Sequence, residues 1–335
     1  MKSSHFRWPY VALLLPVAFM FAAQPAFAQQ TAASEAEQLK ARIDAAVQKL
    51  GDSPRFKSLS AKDRQGLVEF VAGNMLFVLL HEMGHAAVAE MGIIVLGKNE
   101  DAADSFAATR LIRLEGNFSD QVVADSAKGW FLSDRRNKKK GVSVPFYGVH
   151  GLDLQRAYQF VCYLVGSDEN EFKSLADETK LPPGRRQSCK GDYSDALNSW
   201  DAALKPHRRA PDQPKTNIDV IYDDGGKDKQ LEPIANVSRE IRLLEPVAEL
   251  AAESFVWPTP LALEMKSCGF INATWFAEAR KITLCYELAA DFADLYREYG
   301  IASAKSSPKT GRALHRQCCA TRAAPRTTGN PRRPP

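Results

Sequence analysis

His81-Glu82-Met83-Gly84-His85 decides how this chain is read, because residues four apart lie on one face of a helix. Both imidazoles can then take adjacent corners of one tetrahedral zinc site. Glu82, on their flank, is placed to take a proton from a water that the metal activates. With six histidines in 335 residues, shuffling would produce the pattern in about one chain in two hundred, so the flanking sequence has to decide. Upstream, Ser60-Ala61-Lys62-Asp63 has the form of a capping box, and Leu67, Phe70, Val71, Met75, Val78 and Leu79 follow at helical spacing. The reading is one long helix that ends near Gly92. Three polar groups on the inner half of such a helix would be costly without partners, and a metal removes that cost.

A catalytic zinc usually takes three protein ligands and keeps one position open, so two histidines call for a third donor. The metzincin pattern would place Gly and His where Val88 and Met91 stand. Asp101 or Asp104 could serve in the aspzincin manner, but the GTxDxxYG signature is absent. What remains is a glutamate on the next helix. Met91 to Gly97 reads as a short apolar connector bounded by glycines, after which a helix starts with Asn99 as its N-cap and runs towards Leu114. Folded back along the first helix, it would present Glu100 to the metal. Asp104, one turn on, would accept a hydrogen bond from a ligating imidazole and fix its tautomer. The plainer alternative is that Glu100 and Asp101 complement a helix N-terminus.

Glu-x-x-x-Asp after HExxH resembles the gluzincin arrangement, in which the Glu ligates and the Asp orients a His. The step from His85 to Glu100 is shorter than in thermolysin-like members. His81 to His85, followed by Leu96-Gly97-Lys98-Asn99-Glu100-Asp101-Ala102-Ala103-Asp104, resembles the core of a family of exported bacterial metallopeptidases, known as a domain of unknown function. The resemblance takes in His150 with Gln155-Arg156, the Cys162 to Cys189 segment, Cys268-Gly269, Asn272-Ala273 and Leu284-Cys285-Tyr286-Glu287. It covers most of residues 60–298 and leaves out the tail after Ser303. In gluzincins a later Tyr or His stabilises the oxyanion. His150, after a turn and before a helix, is the first candidate for that role, with Tyr147 and Tyr286 as alternates.

The ends of the chain bear on where it works. Lys2 and Arg7 precede an apolar run from Val11 to Ala23, and Ala26-Phe27-Ala28 follows. Residues 1–28 therefore read as a secretory signal peptide, and the expected location is periplasmic or secreted. No later stretch reads as approaching ~18 apolar residues, so no transmembrane segment is expected after signal removal. In an oxidising compartment six cysteines are expected to pair. Sequence order and short loops favour Cys162 with Cys189 and Cys268 with Cys285, leaving the adjacent Cys318 and Cys319 in the tail.

Net charge is +4 over the whole chain, but residues 1–28 carry +2 and residues 303–335 carry +8, which leaves −6 for the body between them. The tail's basic residues lack interleaved aromatics, so nucleic acid is not expected as a partner. A protein or peptide substrate is, and the chain carries no signal for an oligomeric state.

Elsewhere the reading is a polar helix from Glu35 to Leu50, an exposed loop over residues 133–150 with a basic run at Arg135 to Lys140, and a helix from Asp153 to Gly166. Leu181-Pro182-Pro183-Gly184 breaks the chain. Asn217 to Tyr222 alternates as a strand. A helical stretch interrupted by Pro246 covers Arg239 to Phe255, and Ile282 to Tyr299 is the last ordered element, with Glu287 and Asp291 on a solvated helix face. The fold expected is mainly α, α+β with little strand: a zincin-like metallopeptidase core built on the HExxH helix and the following Glu-bearing helix. It occupies residues 29–302, as one unit or as two lobes of about 29–205 and 206–302, and a basic tail follows over 303–335. The expected function is that of a zinc-dependent peptidase of the cell envelope, with His81, His85 and Glu100 as ligands, Glu82 as base, His150 as electrophile and Asp104 behind His81. The alternative is a zinc-binding envelope protein that cleaves nothing.

Overall fold

Ser60 starts the element around which the others are arranged. Its hydroxyl accepts the Asp63 amide (3.1 Å), satisfying one of the open donors of a helix start. The helix then runs from Ala61 to Met91 and stops at Gly92, whose φ of +64° suits a residue without a Cβ. A computed structural model of the chain describes residues 38–39, 41–50, 56–114 and 116–301. Residues 1–28, read above as a signal peptide, the basic tail with Cys318 and Cys319, and the first residues of the expected Glu35–Leu50 helix lie outside these. We label residues 41–50 α1 and Ala61–Met91 α2.

Helices continue as α3 (Asn99–Arg113), α4 (Asn117–Lys139), α5 (Asp153–Ser167), α6 (Lys173–Glu178) and α7 (Pro183–Leu204). Next come β1 (Ile218–Tyr222), α8 (Glu232–Ile241), α9 (Glu245–Ser254), β2 (Leu261–Lys266), β3 (Ala273–Phe276), β4 (Lys281–Cys285) and α10 (Tyr286–Leu295), which closes in a π-helical turn over Tyr296–Gly300. The protein is mainly helical, with one four-stranded sheet of order β1-β2-β4-β3. β1, β2 and β4 are parallel, and β3 joins the edge antiparallel to β4.

α2 is buried along most of its length, including Leu67, Phe70, Met75, Leu79, Met83 and Ala86, as expected of a helix covered on several sides. By length and composition it could cross a membrane, with a mean hydropathy of 1.4 over its best window. Sequence reading had found no such stretch; here 78% of that window is buried against the rest of the fold. Phe70 meets the rings of Phe292 and Tyr296, so the C-terminal elements pack on the same helix as α3 and α4. A Cβ at Gly84 would lie 3.0 Å from the Cα of Ala103 and 3.3 Å from the Cβ of Phe106. That missing Cβ lets α3 approach α2 closely at the level of the histidines.

Several expectations need correction. Lys98, not Asn99, is the N-cap of α3, and its side chain makes no cap bond. Residues 133–139 are not loop but the end of α4, where Arg136, Lys138 and Lys139 complement the carbonyl end of the helix. Arg136 also pairs with Asp291 (2.7 and 3.0 Å). Pro183 does not merely break the chain; it opens α7, where its missing N–H costs nothing. The break near Pro246 falls earlier, at Arg242 (φ +57°), and Pro246 sits in the first turn of α9. Ile282 to Tyr299 begins as strand and becomes helix only at Tyr286. Glu287 is no solvated bystander: its carboxylate accepts the amides of Cys268 and Gly269 and the Ser267 hydroxyl. Both expected disulfides are present, Cys162–Cys189 tying α5 to α7 and Cys268–Cys285 closing the turn after β2 onto β4.

Candidate metal centre

One turn of α2 separates His81 from His85, and the first turn of α3 lies across from both. His81 Nε2 is 3.1 Å from His85 Nε2 and 3.2 Å from Glu100 Oε2, and His85 Nε2 is 3.3 Å from the same oxygen. Ligand atoms about 2.1 Å from a tetrahedrally held zinc lie about 3.4 Å apart, so this triangle has the dimensions of three zinc corners. Two nitrogens and a carboxylate oxygen are also a donor set that zinc accepts. Asp101, next in sequence to Glu100, is exposed and outside this group.

Behind His81 runs a buried chain of polar groups. His81 Nδ1 is 2.8 Å from Asp104 Oδ1, which directs the Nε2 lone pair at Glu100 and His85 when the ring is neutral. Arg156 donates to both Asp104 oxygens (2.7 Å each) and its guanidinium lies 3.8 Å over the Trp130 ring. Burial alone would raise the Asp104 carboxyl; His81 and Arg156 outweigh it and hold the group below its usual range.

Three carboxylates converge on this pair of histidines, and the field favours positive charge. Burial lowers the basicity of His81, but Asp104 and Glu100 more than offset it and push its pKa up to about 9. Glu100 is held down at about 2, chiefly by its contact with His81. Glu82 goes the other way: burial raises its carboxyl above the ordinary value, against the pull of His81, His85 and the Trp275 amide. That amide, on edge strand β3, donates to Glu82 Oε2 at 2.8 Å. A backbone N–H of β3 is thus turned outward, away from β4, and towards the motif helix.

His150 arrives from the loop after α4, with Nε2 2.8 Å from Glu100 Oε2 and its ring stacked at 6.2 Å on His81. Its side chain is half exposed. Burial holds its pKa below the usual histidine value, against the attraction of Glu100. Of the three electrophile candidates it is the one brought to Glu100. The Tyr286 hydroxyl donates instead to the Asp223 carbonyl (2.7 Å), and Tyr147 stands exposed on the loop.

A family model, DUF4344, described as "Putative metallopeptidase", matches residues 40–204 and 222–319. The chain belongs to this family. The match begins before residue 60 and runs past Ser303, so the family extends further at both ends than the motif resemblance suggested. No curated protein and no solved structure matches the chain. A family of metallopeptidases implies a metal, and the groups His81/Glu82/His85 and His81/Glu100/His150 can each converge on one.

Sequence reasoning did not assign the Arg156–Trp130 support, the Trp275 amide or the role of Gly84. Arg156 follows His150 by six residues on the next helix, which is the only sequence signal for it. A cleft of about 1180 Å³ opens behind the centre, on the side of Asp104 and Arg156, lined also by Leu96, Asp101, Gln155 and Trp200; His81, Glu82, His85, Glu100 and His150 are not in its wall.

Proposed function

We propose that this family member is a zinc-dependent peptidase that works outside the cytoplasm, in the cell envelope. The observation that carries the reading is the 3.1–3.3 Å triangle of His81 Nε2, His85 Nε2 and Glu100 Oε2. These three residues would hold the ion, which when bound supplies a Lewis acid for the scissile carbonyl and lowers the pKa of water. Glu82 takes the proton of the attacking water and returns it to the leaving amine. The Trp275 amide holds the Glu82 carboxylate in position. His150 donates a hydrogen bond to the oxygen on which negative charge develops. Asp104, held by Arg156, keeps His81 in the tautomer whose Nε2 faces the ion. The two disulfides support an oxidising compartment, in keeping with the expected signal peptide.

A second reading has its own observation. His150 Nε2 is close enough to Glu100 to complete a four-ligand shell, and a closed shell belongs to a structural site. The exported protein is therefore assayed for bound zinc and for hydrolysis of a denatured protein and a peptide library, beside Glu82→Gln and His150→Ala. One zinc per chain, with turnover reduced at least 100-fold in Glu82→Gln and zinc retained in both variants, is the expected outcome. Zinc lost from His150→Ala, with no turnover by the parent protein, would replace the peptidase with the binding protein.

A further inference from the structure

The basic run at the end of α4 leads into an exposed apolar segment near the centre, and the peptidase reading uses neither. Gly148 N–H bonds back to the Pro145 carbonyl (3.4 Å), closing a turn whose two corner residues are Phe146 and Tyr147. They are 89% and 92% exposed. Val142 and Val149 flank them and are also exposed. Directly behind, α4 ends in the exposed Lys138, Lys139 and Lys140, after Arg136, which Asp291 neutralises; the three lysines make a positive locus on a body of net charge −6. Lys138 bridges to Asp134 and Lys139 lies 5.4 Å over the Tyr299 ring, yet both ammonium groups stay on the surface with Lys140.

A second loop repeats the pattern. The α2–α3 connector exposes Ile94 (84%) and Leu96 (98%) and is followed by exposed Lys98. The two loops run into Glu100 and His150, whose side chains touch at 2.8 Å. Four Cα–Cα steps from Leu96 to Glu100 and three from Tyr147 to His150 put both tips within about 15 Å of the centre.

We infer that this face docks on an anionic phospholipid surface, the apolar tips entering the headgroup layer and the lysines pairing with lipid phosphates. The inference does not depend on what the centre hydrolyses. A convex turn with aromatic corners has no groove to receive a partner's side chain, whereas a fluid layer closes around it. Tyr and Phe at such a tip with Lys behind it match the composition of interfacial anchors. Lysines near an anionic surface add attraction that salt screens.

The test is co-sedimentation of the full-length protein with vesicles of phosphatidylglycerol and phosphatidylcholine, and with phosphatidylcholine alone. Two variants accompany it: Phe146→Ser with Tyr147→Ser, and Lys138→Glu with Lys139→Glu and Lys140→Glu. Phe146 and Tyr147 are exposed at a turn, so the aromatic variant should keep the parent far-ultraviolet circular dichroism and melting temperature. The lysine variant gives up charges that complement the end of α4 and the Lys138–Asp134 bridge, so it should keep the circular dichroism, melt somewhat lower, and is tested well below its melting temperature. Expected are binding to the anionic vesicles that weakens with salt, at least tenfold weaker binding by either variant, and little binding to phosphatidylcholine alone. The basic tail is the same in all three proteins, so binding that persists unchanged in the variants would overturn the proposal. So would absence of binding, equal binding to both vesicle types, or a dimer in sedimentation velocity that the aromatic variant dissociates without any lipid binding.

Discussion

Asp104 shows how one carboxylate can set the quality of a site it does not enter. It accepts from His81 on one side and from Arg156 on the other, and all three side chains are largely withdrawn from water. Asp104→Asn would let the amide present either an oxygen or an NH2 to His81 and would remove the charge partner of Arg156. Zinc affinity should fall roughly 10–100-fold, the usual cost of losing such a support, as measured by competition with a chromophoric chelator. An affinity unchanged by the substitution would remove Asp104 from the set of residues that position His81. The sequence showed Asp104 one turn after Glu100, but Arg156 and Trp130 come from two other helices, and no spacing rule links them.

At the scale of elements, the close approach of α2 and α3 rests on Gly84, the fourth residue of the motif. Gly84→Ala would bring a methyl within 3.0 Å of the Ala103 backbone and push the first turn of α3 outward. A shift on the order of 1 Å there misplaces Glu100. The expected result is about 1–3 kcal/mol of lost stability with weaker zinc binding, read by thermal unfolding and zinc titration on the same protein. The sheet carries a separate prediction. Glu264 on β2 is buried, faces its register partner Thr283, and accepts from Thr283 (3.0 Å), Lys281 (2.8 Å) and Lys266 (2.9 Å). Burial would raise its carboxyl, but these donors outweigh it and hold it below the usual range. Its contribution is therefore fully present above the unfolded-state value of about 4.3 and is lost as pH falls towards the depressed folded value. Glu264→Gln should lower stability at pH 7 by about 1–3 kcal/mol and flatten that part of the pH profile, seen in urea unfolding from pH 7 to pH 3. A parallel profile in the variant would count against the assignment.

For the whole molecule, the centre joins three parts of the chain: α2, the start of α3, and the loop that ends in His150, with β3 reaching Glu82 from the far half. Removing the ion deprives His81, His85 and Glu100 of their common partner and leaves only a protonated His81 and the Arg156 guanidinium to balance Glu82, Glu100 and Asp104, so metal loss should be felt as lost stability. Dialysis against a chelator is expected to lower the melting temperature by about 5–10 °C, and added zinc should restore it. An unchanged melting temperature would mean that the fold does not bind the ion as proposed.

Sequence by itself determined what depends on neighbours along the chain. The Ser60 cap, the helical spacing after it and Gly92 bounded α2; the glycine-bounded connector turned the chain towards Glu100; alternation marked β1; and short loops paired the cysteines correctly. Tertiary structure decided what depends on neighbours across space. α4 buries Ser119, Asp120, Asp125 and Ser126 among its apolar residues, which breaks the periodicity that would have revealed it. β2, Leu-Ala-Leu-Glu-Met-Lys, has no β-branched residue and is a strand because β1 and β4 pair with its two edges. The Arg156 clasp on Asp104 and the Trp275 amide on Glu82 exist only once distant elements are packed. Local propensity is written in a few consecutive residues, whereas burial and hydrogen-bond partners are shared between segments up to 199 residues apart.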